Sequence, residues 1–461
     1  MSISYNLSNV GTYYPIQGML LVQQQPCIVF EDERKIVSDW ISMQQPIGTV
    51  RRLQIEFGNS VKPWKLHPYC IGIMLTNNCN LACKYCFSKA GDMAETQLSK
   101  DQIDTVINET IHNAQVHKAL ANRGFLTVDS DIEVELTISG GGEPTFHWEV
   151  FKYTIDTFKE KCSNAGLKSS VLLVTNAIQQ GERIKYIIDR CDRINVSFDG
   201  TPTFQNAQRP LRNGDKSFLL VDNFIRQCEA AGKNLLIRST VMGDNLNRIG
   251  EIADYVFDCY SNVNVVHIEP MISLGRAEKL KHIIGNDIAH EFALEYIKQS
   301  DRVAKKYPNK ELFCTLFDYE LKDYFCSAAV GAHPWVHPNG MLYPCKDELE
   351  DKYCIGVIKD TGIEFNKSFE ALSMTTDKCK KCFAFYHCAG GCPRCIPKDV
   401  YGNCATKEAL FHCSAVQTYW KEILKDAANG ISHGRFVVEK IDDFPMNHLF
   451  KCIRISEASM T

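Results

Sequence analysis

The chain has 461 residues, 45% of them hydrophobic and 23% charged, enough for two or three domains with sizeable cores. Lys plus Arg number 51 against 55 Asp plus Glu, a net charge of −4 with no basic stripe, which argues against a nucleic-acid partner. The opening Met1-Ser2-Ile3-Ser4-Tyr5-Asn6 lacks a signal-peptide pattern, and no run approaches the roughly 18 apolar residues of a membrane span, so a cytoplasmic protein with no membrane partner is expected.

Residues 1–66 read as an N-terminal extension with strand-like runs at 19–23 and 27–31 and a helix over 32–43, a candidate module for peptide recognition. From Tyr69 to about Pro270, short β-branched runs alternate with amphipathic helical stretches. The runs lie at 70–75, 132–138, 170–175, 194–198, 235–241 and 263–268, and helical patterns at 100–114, 147–165 and 218–231. Runs of this length suit strands buried on both faces. Six βα units in a row imply an α/β fold with right-handed crossovers and a parallel sheet, either a partial barrel or doubly wound, with ligands at the C-terminal strand ends. After about residue 300 the rhythm stops, and 314–413 is rich in Cys, Gly, Pro and aromatics, as in a small domain organised by metal. Residues 414–426 read as a helix and 427–461 as a tail with no clear pattern. Domain bounds are expected at 1–66, 67–300, 301–426 and 427–461.

In a reducing compartment, 21 cysteines point to metal ligation more than to disulfides. Cys27, Cys162, Cys191, Cys228, Cys259 and Cys452 are scattered singly and read as ordinary core or surface residues. The first cluster, Cys79-x3-Cys83-x2-Cys86, follows the first strand of the βα region. Three thiolates on a cubane cluster leave one iron open to a small chelating molecule. Structural zinc is the competing reading, but it takes four ligands, and His67 lies twelve residues upstream of Cys79.

This spacing, with Tyr85 before the last Cys, resembles the radical SAM superfamily. The resemblance implies a partial (β/α)6 TIM-type barrel. It implies that Cys79, Cys83 and Cys86 hold a [4Fe–4S] cluster whose open iron is chelated by S-adenosylmethionine (SAM), cleaved reductively to a 5′-deoxyadenosyl radical that abstracts a substrate hydrogen. Later strand ends fit a SAM pocket. Gly141, Gly142 and Glu143 resemble the motif that holds the SAM amino group, with glycines for close approach and a carboxylate for the ammonium. Asn176 and Ser197 suit ribose hydroxyls, and Arg209 suits a carboxylate. Arg238 is a further candidate, and His267, Glu269 and Pro270 are placed behind the adenine.

Cys326, Gly340 with Cys345, then Cys379-x2-Cys382-x5-Cys388-x3-Cys392, and Cys413 resemble the SPASM pattern of auxiliary clusters; zinc knuckles are the alternative. The resemblance implies a small Cys-rich α+β iron–sulfur domain and three [4Fe–4S] clusters in all. Cys379, Cys382, Cys388 and Cys413 would hold the distal auxiliary cluster, and Cys326, Cys345 and Cys392 the proximal one. The proximal set lacks a fourth ligand: Cys314 and Cys354 are candidates, or the site is open to substrate. Cys395 and Cys404 are surplus.

The family implies a precursor peptide or protein as substrate and an external electron donor such as flavodoxin or ferredoxin. The leading expectation is a radical SAM oxidoreductase that matures a ribosomally made peptide through an intramolecular thioether or carbon–carbon crosslink. A second is an anaerobic sulfatase-type maturase forming formylglycine; that group has Asp directly after the equivalent of Cys345, whereas here Lys346 precedes Asp347. A third, of another class, is a non-catalytic metal-cluster scaffold that binds a partner and needs no SAM pocket.

Overall fold

The computed structural model describes residues 69–122, 132–280, 286–318, 325–330, 333–347, 353–365, 379, 382–392, 407–429 and 431–434, with the backbone of six outlying strands. Four of these strands come first: β1 (Tyr5–Leu7), β2 (Gly11–Tyr14), β3 (Met19–Val22) and β4 (Cys27–Phe30), an antiparallel meander. The helix expected over 32–43 lies outside the described residues, as do Cys395 and Cys404.

All six expected parallel strands are present: β5 (Cys70–Ile73), β6 (Glu133–Ile138), β7 (Lys168–Thr175), β8 (Arg193–Ser197), β9 (Leu235–Val241) and β10 (Val263–Pro270). They lie side by side in chain order, each parallel to the next. A doubly wound sheet reverses its order at a switch point, so this singly wound order decides for the partial barrel. The connections carry α1 (Lys100–Asn122), α2 (Trp148–Asn164), α3 (Glu182–Arg190), α4 (Pro202–Gln208), α5 (Phe218–Ala230) and α6 (Ile249–Cys259).

The core lies between sheet and helices. Ile73, Leu136, Ile138, Leu173 and Ile237 pack from the strands against Ile103, Val106, Phe151, Ile155 and Phe224 from the helices, all fully buried. Each such side chain contributes roughly 1.5–3 kcal/mol. Cys162, Cys191 and Cys228 sit in this core as ordinary apolar residues. The strands are not buried on both faces as expected. Along β9, buried Leu235, Ile237, Ser239 and Val241 alternate with half-buried Leu236, Arg238 and Thr240, because the incomplete barrel leaves its inner face a lumen.

The sheet also continues past residue 300. β11 (Glu311–Phe313) adds in parallel to β10, after α7 (Asn286–Lys306). On the other edge β12 (Trp335–Val336) adds in parallel to β5, followed by the antiparallel β13 (Met341–Tyr343), β14 (Gly356–Lys359) and β15 (Gly362–Phe365). Gly72 makes this junction possible, since a Cβ there would stand 2.3 Å from the Trp335 indole. The Cys-rich region is therefore built onto the barrel sheet. It also contains α8 (Ser327–Val330), α9 (Phe385–Cys388) and α10 (Lys407–Ala428), the last packed along α7. The tail is not patternless: β16 (Phe436–Lys440) pairs with β17 (Phe450–Ile455), and β17 runs parallel to β4. Among the described residues, no helix is long and apolar enough to cross a membrane.

Candidate active site

The loops after the six strands meet around a cavity of about 230 Å³ at the C-terminal end of the barrel. Cys79, Cys83 and Cys86, on the loop after β5, form one wall. Gly141, Gly142 and Glu143 follow β6, Asn176 follows β7, Ser197 ends β8 and Arg209 closes α4, and all six line the same cavity. Arg238, Glu269 and Pro270 complete the wall, with His267 behind Glu269. Lys346 and Asp347 reach it from the Cys-rich region.

The cysteine loop is docked through backbone. Gly142 N donates to Thr76 O at 2.7 Å and Glu143 N to Asn78 O at 2.8 Å. A Cβ on Gly142 would stand 1.8 Å from Asn78 O, and one on Gly141 2.8 Å from Thr76 O. These glycines thus let two backbones meet, whereas the sequence suggests approach to a ligand. The Glu143 carboxylate, 3% exposed, is held in place. Its Oε1 accepts from the Thr145 and Thr175 hydroxyls, both at 2.6 Å, and its Oε2 from Asn176 N at 2.8 Å. Burial pushes its pKa up and these bonds pull against that. Oε2 keeps one acceptor position for an ammonium group. Asn176 serves the cysteine loop as well: its amide donates to Asn80 Oδ1 at 2.6 Å and to Cys79 Sγ at 3.6 Å.

A buried carboxylate organises the opposite side. Asp199, fully buried, accepts from the Tyr85 hydroxyl at 2.5 Å and from Gln208 Nε2 at 2.7 Å, and lies 3.1 Å from Arg209 Nε. The Arg209 guanidinium lies over the Tyr85 ring, its carbon 5.1 Å from the ring centre. The aromatic before Cys86 is therefore an anchor, and the counterion of Arg209 comes from the protein itself. α4 is set for this by Thr201, whose hydroxyl caps Phe204 N, and by Pro202 in its first turn. Glu269, half-buried, is held at about 2, since the charge of His267 and hydrogen bonds outweigh desolvation.

Two arginines absent from the sequence-based site complete the loop's support: Arg212 donates to Cys79 O at 2.9 Å, and Arg276 to Cys83 O at 3.1 Å. Both pair with Asp92. The local signal was a glycine at each contact, Gly91 before Asp92 and Gly275 before Arg276, both with positive φ.

Burial and neighbouring negative charge push the Cys79 thiol up to about 12, and burial pushes Cys83 up to about 11. Thiolates here need a strongly cationic partner, which suits an iron–sulfur cluster. Among the described residues, no three His, Cys, Asp or Glu side chains converge as one ion would require. A four-iron cluster spreads its thiolates over separate irons.

The second cysteine set is partly gathered. Cys382 N donates to Cys379 O at 2.9 Å, Gln417 on α10 donates to Cys382 Sγ at 3.5 Å, and Cys388 Sγ lies 3.5 Å from His412 Nε2, beside Cys413. Burial and the charge of Asp347 push Cys345 up to about 12, and Cys392 is close enough to add to this. Cys326 immediately precedes α8. Cys314 is buried near Glu269, and Cys354 donates its thiol to Gly356 O at 3.2 Å.

Residues 73–256 match the Radical SAM superfamily. The chain is similar to a cysteine-type anaerobic sulfatase-maturating enzyme of Clostridium perfringens, 22% identical over 75% of this chain and 93% of that protein. It is also similar to the radical SAM cyclopropyl synthase TigE of Paramaledivibacter caminithermalis, 22% identical over 76% of this chain and 71% of that one. Among solved structures, native anSMEcpe with bound AdoMet and the Kp18Cys peptide shares the fold, with a TM-score of 0.61, 18% identity and coverage of 78% of this chain and 99% of that one.

Proposed function

We propose that this chain, whose residues 73–256 belong to the radical SAM superfamily, modifies a peptide or protein by forming an intramolecular crosslink, a thioether or a carbon–carbon bond. One observation carries the reading: the three loop cysteines and all six expected SAM contacts line a single cavity, into which Lys346 and Asp347 project from the Cys-rich region. When bound, the cluster and SAM would supply a radical that abstracts hydrogen. The chain's own residues would do the positioning. Cys79, Cys83 and Cys86 would hold the cluster, Glu143 Oε2 would take the SAM ammonium, and Arg209 and Ser197 would bound the rest of the ligand. Cys326, Cys345, Cys392, Cys379, Cys382, Cys388 and Cys413 would hold two auxiliary clusters, giving the electron removed from the substrate a path to an external acceptor. A scaffold without catalysis would need no such cavity.

A second reading, oxidation of Cys or Ser to formylglycine, is favoured by Asp347. It lines the cavity although Lys346 follows Cys345, and Lys346 Nζ pairs with it at 2.6 Å. The test is anaerobic turnover of the reconstituted enzyme with SAM, a reductant and Cys-containing peptides encoded beside its gene. A crosslink is a loss of two hydrogens with no free aldehyde; formylglycine is a loss of sulfur with an aldehyde that hydrazide reagents trap. Absence of 5′-deoxyadenosine in every reaction would refute both.

A further inference from the structure

Each of the three cysteine carbonyls on the cluster loop accepts an N–H from one of two arginines. Cys79 O takes Arg212 Nε at 2.9 Å, Cys83 O takes Arg276 Nη1 at 3.1 Å, and Cys86 O takes the Arg276 backbone N at 2.9 Å. The two guanidinium groups meet at the far end of the loop. Arg276 Nη2 donates to Ala90 O at 2.6 Å, and Arg212 Nη2 donates to the same oxygen. Asp92 ties them together, with Oδ2 2.7 Å from Arg276 Nε, and Oδ1 2.6 Å from Arg276 Nη2 and 3.1 Å from Arg212 Nη2.

The arrangement depends on glycine at both contacts. A Cβ on Gly91 would stand 2.2 Å from Arg212 Nη2, and one on Gly275 2.2 Å from Phe87 O. Arg212 comes from the segment between α4 and α5, and Arg276 from the segment after β10, so the clamp closes across the barrel mouth. It also leaves a charge. Arg209 is matched by Asp199, but Arg212 and Arg276 share one carboxylate, a net positive charge against a loop that would carry three thiolates.

On the radical SAM reading above, we propose that Arg212 and Arg276, joined through Asp92, are positioning residues with two effects. They hold the three cysteines in place before iron arrives, and their net positive charge raises the reduction potential of the cluster the cysteines hold. Charge-assisted hydrogen bonds to Cys79 O, Cys83 O and Ala90 O, with the Arg276 backbone N–H on Cys86 O, fix the loop's shape, and an added electron is stabilised by nearby positive charge.

The test uses the full chain, reconstituted anaerobically, as wild type and as Arg276→Gln, Arg276→Lys and Arg212→Gln. The readouts are the midpoint potential of the SAM-responsive paramagnetic signal and the rate of iron loss from that cluster to a ferrous chelator. Arg276→Gln should shift the potential negative and quicken iron loss by roughly tenfold, the effect of one charge-assisted hydrogen bond. Arg276→Lys should keep most of the potential but still lose iron fast, because an ammonium cannot span both carbonyls. Wild-type potential and iron loss in Arg276→Gln would overturn the proposal. If that variant is recovered unfolded, wild-type behaviour in both Arg276→Lys and Arg212→Gln would overturn it instead. A wild-type protein with no SAM-responsive signal would overturn the parent reading, whatever the variants do.

Discussion

Gly142→Ala tests how the site is assembled. Gly142 has no left-handed backbone to lose, so the effect of alanine comes from contact alone. The new Cβ would lie 1.8 Å from Asn78 O and 2.6 Å from Asn78 C and N, all backbone atoms that cannot swing aside. Restoring ordinary contact near 3.5 Å separates the two loops by roughly 1.5 Å. That breaks the 2.7 Å and 2.8 Å bonds from Gly142 N and Glu143 N. At about 0.5–1.5 kcal/mol each, their loss costs about 1–3 kcal/mol of docking between the cysteine loop and the Glu143 loop. SAM bridging both loops should then bind roughly 5- to 150-fold more weakly. Calorimetric titration of SAM into the reconstituted variant measures this. Gly166→Ala is the control: φ is +64° but nothing lies within 4 Å, so it should cost about 1 kcal/mol in melting and leave SAM affinity unchanged. Wild-type affinity in Gly142→Ala, or an equal loss in Gly166→Ala, would refute the reasoning.

Replacing Cys79, Cys83 and Cys86 together by Ala should remove about four of about twelve irons per chain and abolish SAM cleavage; iron and zinc analysis decides this. Glu143→Gln should weaken SAM binding while iron content stays near wild type, since Glu143 would meet the ammonium and not the iron. The Glu269 carboxyl is depressed to about 2 in the fold, so its stabilisation is fully present above about pH 4.5 and is lost as pH falls through about 2. Glu269→Gln should flatten that acid limb, worth about 3 kcal/mol at most. Melting curves between pH 7 and pH 3 test it, and parallel curves for the two proteins would count against the assignment.

The βα alternation was legible because each strand run is short, apolar and bounded by polar turns. α3 and α4, nine and seven residues long, carry too few turns for a helical period to stand out. β11 and β12, of three and two residues, carry almost no pattern and are defined by the edges they join. The cysteine loop and Glu143 stood out in the sequence because their spacing is local, and the structure brings them to one cavity. The second role of Gly142 and Asn176, docking the cysteine loop, was not legible, since both contact a segment about 65 to 100 residues away in sequence. Asp199 carries no signal in its local sequence, and only burial reveals it as the counterion of Arg209 and the anchor of Tyr85. Arg212 and Arg276 act on main-chain carbonyls of another segment, and Asp92 acts on their guanidinium groups, which no spacing rule can encode.

The pairing of β17 with β4 has a consequence for how the chain is made. Phe30 and Ile453 are register partners more than 400 residues apart. At a synthesis rate of about 5–20 residues per second, the outer edge of β4 waits roughly 20–80 s for its neighbour to leave the ribosome. During that interval an unpaired strand edge can template pairing with other nascent chains. Truncating either terminus makes the interval permanent, so loss of 450–455 should appear first as poor recovery of soluble protein, with the barrel intact in whatever remains in solution.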